Sequence, residues 1–83
     1  MGDNMDILKV GETIKFLRIK NTNLSQEEFA QKVGLDRTYL SRVESGQKNI
    51  TLETLDIICK GLGVTITNFF ITYDEMLPIG GED

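Results

Sequence analysis

Arg37, Thr38 and Arg42 are the side chains of this 83-residue sequence best equipped to read another molecule. Arg42 follows Thr38 by four residues, so on a helix the three share one face. Each guanidinium carries parallel N–H donors that match O6 and N7 of a guanine in the DNA major groove, and a threonine methyl can meet that of thymine. One good bidentate contact discriminates by about 1–3 kcal/mol. Tyr39 offers a hydroxyl for a phosphate, or a ring to pack at the helix start, and Ser41 offers a shorter contact. The plainer alternative for all five is a solvated polar helix face.

Positioning such a face needs local structure, and the stretch from Leu24 to Gly46 supplies it as a helix, a tight turn and a second helix. Ser25 and Glu28 have the spacing of a capping box, which starts the first of the pair. Phe29, Ala30 and Val33 line its inner side, and Gly34 ends it. Asp36 caps the second, which turns Leu40 and Val43 inward and closes at Ser45-Gly46. Gln26 stands in a first helical turn, where free N–H groups and the helix dipole favour an anion. Lys48 and Asn49, in the loop after the second helix, are candidates for backbone phosphates.

Around this pair the sequence predicts three more helices and no strand, an all-α fold. One runs from Asp6 to about Lys20, with Val10, Ile14 and Leu17 inward, and breaks at Asn21-Thr22-Asn23. Thr51 caps a fourth, with Leu52, Leu55, Ile58 and Leu62 inward and Gly61 and Gly63 weakening its end. Thr65 caps a fifth, reaching Met76 or Leu77. Its apolar residues exceed one buried stripe. Phe70 is assigned to the core. Ile66, Phe69, Ile71, Tyr73, Met76 and Leu77, joined by Ile57, are assigned to a patch covered by a second copy; the alternative is that all pack inward.

Length bounds the rest. Residues 1–77 make one domain, with a loose tail at 78–83. No apolar run suits a membrane span or a secretory signal, so the expected location is cytoplasmic and no membrane partner is expected. Cys59 stands alone and is read as a buried, inert thiol. Two sequons, at Asn23 and Asn49, are read as turn residues beside caps. The chain has no His, no Walker or zinc spacing and no nucleophile beside a base, so no catalytic residue, metal or cofactor is expected, and the reading is not an enzyme. The net charge of −4 hides a pattern: residues 7–73 hold all nine bases and seven of the acids, and the ends hold the other six acids. Phosphate attraction follows the local face rather than the total.

The order Arg18, Ser25-Gln26-Glu27-Glu28-Phe29-Ala30, Val33-Gly34, Asp36 to Glu44, Gly46, Leu55 and Leu62-Gly63-Val64 resembles the five-helix lambda-repressor-like DNA-binding domain. That domain, with its helix-turn-helix, belongs to phage Cro and CI repressors and bacterial XRE-type regulators, and the likeness covers roughly residues 9–72. The phrases Leu35-Asp36-Arg37-Thr38-Tyr39-Leu40 and Asn49-Ile50-Thr51-Leu52 are most similar to controller proteins of restriction–modification systems. The resemblance implies base contacts from Arg37, Thr38 and Arg42. Backbone contacts are implied for Gln26, Tyr39, Ser41, Lys48 and Asn49. It also implies a salt bridge between Arg18 and Glu44. Arg18 and Gln26 stand eight apart where many relatives have seven, which places an extra residue in Asn21–Asn23. The expected activity is regulation of transcription by a homodimer on a palindromic double-stranded operator, with RNA polymerase a further candidate partner. The second reading is an antitoxin-type protein-interaction module whose DNA contact is secondary.

Overall fold

Four helices start at side-chain caps that could be read from the chain. The Ser25 hydroxyl accepts from the Glu28 N–H and the Glu28 carboxylate accepts from that of Ser25, which completes a reciprocal box. The carboxylate of Asp36 accepts from the N–H groups of Thr38 and Tyr39, and Thr51 and Thr65 each accept from the N–H three residues on. In the computed structural model, which describes residues 6–76, these caps open α2 (Gln26–Val33), α3 (Arg37–Glu44), α4 (Leu52–Leu62) and α5 (Ile66–Glu75). Asp6 caps α1 (Ile7–Leu17) in the same way. No strand occurs among the described residues.

The regular α1 stops at Leu17, short of the expected end at about Lys20, and the expected break at Asn21-Thr22-Asn23 is itself helical as far as Thr22. After Leu17 the chain enters a π-helical turn, Arg18–Thr22, and leaves it at Asn23, whose φ of 56° is left-handed. The Asn23 N–H donates to the Arg18 carbonyl five residues back at 3.0 Å, the wider ring of a π-turn. Thr22 Oγ1 donates to the same carbonyl, and Asn21 Nδ2 donates to the Leu62 carbonyl at the end of α4. A π-turn holds one more residue than the α-turn it replaces, so the additional residue that the family resemblance implies for Asn21–Asn23 has a hydrogen-bonded turn to occupy.

Val10, Ile14 and Leu17 of α1, Phe29 and Ala30 of α2, Leu40 and Val43 of α3, and Leu55, Ile58, Cys59 and Leu62 of α4 form the core. Three expectations need correction. Phe69, assigned to a partner surface, is wholly buried, whereas Phe70 is half-buried with its ring edge-on to Phe69 at 5.2 Å. The two differ by one helical step of about 100°, and a helix apolar on several sides leaves that rotation open. Leu52 is 67% exposed, because the first turn of α4 projects beyond the core it serves one turn later. Gly61 is an approach point: a Cβ there would overlap Val33 Cγ1 and lie 3.2 Å from the Phe29 ring, so α2 packs on bare backbone. The chain bends by 89° between α4 and α5. The expected tail and Leu77 lie outside the described residues.

Candidate nucleic-acid interface

Between α2 and α3, Gly34 takes φ 76° and opens the tight turn, and the Leu35 N–H closes back on the Ala30 carbonyl at 2.9 Å. With Asp36 capping α3 immediately afterwards, the first residues of α3 emerge clear of the core. Arg37, Thr38 and Arg42 are exposed, and no ion pair or hydrogen bond engages either guanidinium among the described residues; the Ser45 hydroxyl donates only to the Arg42 backbone carbonyl. Together with Ser41 and Gln47 they line an open cleft of about 260 Å³. Gln47, from the loop that follows α3, belongs to this surface. Its N–H donates to the Arg42 carbonyl at 2.8 Å, which folds the chain back beside the arginine.

Beneath that face lies a bonded layer. Arg18 Nε and Nη2 donate to Glu44 Oε2 and Oε1 at 2.8 and 3.0 Å, and Nη1 donates to the Leu24 carbonyl at 2.6 Å. Both side chains are almost wholly buried, at 7% and 2% exposure, a setting in which loss of either partner strands a charge. Gln26 joins the pair, its Nε2 donating to Glu44 Oε1 at 2.8 Å. Three elements are thereby tied at one carboxylate: the π-turn, the start of α2 and the end of α3. Only the family likeness pointed to the ion pair, and nothing local pointed to Gln26 as its third member. An amide nitrogen carries two hydrogens, so one N–H of Gln26 remains for another acceptor.

The other site residues divide by exposure. Ser41 is half-buried and lines both the cleft above and a second one of about 290 Å³ shared with Glu12, Lys15, Gln26, Glu44 and Ser45. The Tyr39 ring packs against the core, and its phenol stays half-buried. Lys48 and Asn49 are exposed, and Asn49 Oδ1 accepts the next N–H, which shapes the loop. No cluster of three or more metal-ligating side chains exists among the described residues. Among those residues, too, no single helix is long and apolar enough to cross a membrane.

On α5, Ile71 is 51% exposed, whereas Ile66, Phe70, Tyr73 and Met76 are half-buried. Tyr73 is engaged within the monomer: its hydroxyl accepts the Asp6 N–H at 3.0 Å and Lys9 Nζ sits 4.5 Å from its ring centroid. Ile57 of α4 is 40% exposed. Exposed apolar side chains that sequence reasoning did not single out are Leu8, Phe16 and Ile19 of α1 and the π-turn.

With this helix, glycine turn and capped helix in place, the family model for the helix-turn-helix matches residues 14–69. The chain belongs to that family. It is 44% identical over 63 residues to the control protein C.MunI of Mycoplasma sp, covering 76% of this chain and 85% of that protein. It is 38% identical over 64 residues to the control protein C.BamHI of Bacillus amyloliquefaciens, covering 77% and 78%. Its fold superposes with a TM-score of 0.78 on the restriction–modification controller protein C.Esp1396I, solved as a tetramer in complex with its natural 35 base-pair operator. That match is at 36% identity and covers 88% of this chain and 95% of that one.

Proposed function

We propose that this helix-turn-helix protein is a sequence-specific, double-stranded DNA-binding regulator of transcription, and that it is the controller of a restriction–modification system. In that role it acts on its own gene and on that of the endonuclease. The observation that carries the reading is the pair of exposed arginines on α3, held above a buried layer that fixes the helix beneath them. A helix docked by its N-terminal half in the major groove brings Arg37, Thr38 and Arg42 to base edges. The free N–H of Gln26, the Tyr39 hydroxyl, Ser41, Lys48 and Asn49 are assigned to phosphates, which hold register without specifying sequence.

A half-site alone offers too few contacts for genomic specificity, so two copies bind two half-sites about one helical turn apart. The exposed Ile57 and Ile71, with the half-buried Ile66, Phe70 and Met76, provide apolar surface for a symmetric homodimer. Tyr73 contributes indirectly by anchoring α5 to the start of α1. RNA polymerase is the further partner expected of a controller that activates, and the site of action is the cytoplasm.

Selection of bound sequences from a random duplex pool tests the proposal. The expected product is a two-fold symmetric consensus, with two copies per duplex. Replacing Arg37 or Arg42 by Ala should then relax preference at one base pair per half-site. A pool that emerges without any consensus sinks the reading.

A further inference from the structure

The α3 helix rests on α1 with no side chain between them at one point. Gly11, buried in the middle of α1, faces the last two residues of α3. A Cβ built there would overlap the Val43 carbonyl oxygen, and it would lie 2.6 Å from the Glu44 carbonyl oxygen and 2.9 Å from its carbon. All three atoms are backbone, so none can rotate aside. Restoring ordinary contact would separate the two helices by about 1 Å. One turn earlier in α1, Leu8 makes a second seat. Gly46, at φ 79° in the turn that follows α3, has so little room that a Cβ would overlap Leu8 Cδ2 and lie 3.0 Å from Leu8 Cα. The two seats are linked, because the Val43 carbonyl that faces Gly11 also accepts the Gly46 N–H at 3.1 Å.

We infer that Gly11 and Leu8 are specificity-determining positioning residues: they set the height and tilt of α3, and so where its arginines stand, without touching DNA themselves. The inference rests on the reading of α3 as the helix that enters the groove. Its physical basis is that the two kinds of contact tolerate displacement differently. A bidentate guanidinium–guanine pair weakens steeply when its distances and angles are wrong. Attraction of Lys48 and other cations to phosphates falls slowly with distance and adapts through flexible side chains. Lifting α3 therefore removes discrimination and leaves general affinity.

The test is equilibrium binding of Gly11→Ala and Leu8→Ala to the selected duplex and to a scrambled duplex of equal length and composition. Circular dichroism and the dimer dissociation constant are measured on the same samples. The ratio of the two affinities is the readout, since a mere loss of folded protein lowers both in proportion. In Gly11→Ala the ratio should fall about tenfold or more, the loss of one good base contact, with scrambled-duplex affinity within about twofold. Leu8→Ala should lower it about threefold, as a partial loosening of the same contact. Leu8 is 43% exposed, so its truncation spares the core and decides the matter if Gly11→Ala does not fold. An unchanged ratio in the folded variants, or a proportional fall in both affinities, overturns the inference while wild-type preference leaves the reading of α3 standing. A wild-type chain without preference overturns both.

Discussion

On α3 the exposed side chains are Arg37, Thr38 and Arg42, above a layer in which Arg18 and Gln26 both donate to Glu44. On α5 the exposed large apolar side chain is Ile71, above a buried Phe69 and the edge-on rings of Phe70 and Tyr73. Both helices are short and both are capped, so their difference lies in what holds them from below. Hydrogen bonds constrain direction as well as distance, whereas apolar contact rewards area and little else. Reading base edges requires direction, and association of two copies requires area. Each surface is backed by the kind of interaction its proposed task demands.

The comparison breaks first at its foundations. Glu44→Ala leaves the buried Arg18 guanidinium without its carboxylate and should cost about 3–5 kcal/mol in denaturant unfolding. Phe69→Ala should cost a similar 3–5 kcal/mol, by opening a cavity under α5. A loss below about 1 kcal/mol in either case would mean that the layer beneath that helix is not what holds it. Next come the arginines: Arg37→Ala and Arg42→Ala should each weaken binding to the selected duplex by about 1–3 kcal/mol with unfolding unchanged, as read by gel shift.

Smaller effects sharpen the contrast. Ile71→Ala should alter monomer stability by less than about 0.5 kcal/mol, yet raise the dimer dissociation constant in sedimentation equilibrium. If dimerisation is unaffected, the α5 surface has another use. Lys48→Ala should weaken specific and scrambled duplexes alike and reduce the salt slope by about 1. Cys59 gives the smallest effect at neutral pH. Burial, and secondarily the nearby Asp56 charge, push its thiol up from 9.0 to about 11. Because the folded value is the higher, the contribution to stability is complete below pH 9 and is lost as pH rises toward 11. Thiol labelling of the folded chain at pH 7 should accordingly be slow, and denaturant should accelerate it.

Much of this fold is legible because caps are local. Ser25 with Glu28, Asp36, Thr51 and Thr65 each act within three residues, so their spacing alone locates four helix starts. The rotation of α5 is not local. With Ile66, Phe69, Phe70, Ile71 and Tyr73 distributed around ten residues, the apolar set alone does not fix which side is inward; Phe69 rather than Phe70 is the fully buried ring, and the exposed Thr67, Asn68, Asp74 and Glu75 are the polar signal that marks the outer face. Leu52 misleads for a related reason, since periodicity cannot say where the core stops along a helix. At the candidate site, the exposed arginines follow from the cap and the turn. The bond from Gln26 to Glu44 spans 18 residues, and the contact between Gly11 and the end of α3 involves backbone on one side. Neither leaves a pattern in residue types.

The π-helical turn at Arg18–Thr22 has a consequence for how this scaffold can vary. Its two ends are pinned independently, Arg18 by Glu44 and the start of α2 by its capping box, while Asn21 is tethered to the end of α4. Contour length can therefore change between two fixed posts. Removing a single residue from Ile19–Thr22 should let the widened loop tighten to ordinary pitch, with binding intact. Chimaeras between homologues of unequal length are best spliced there, because a length mismatch at this joint is absorbed before it reaches α3.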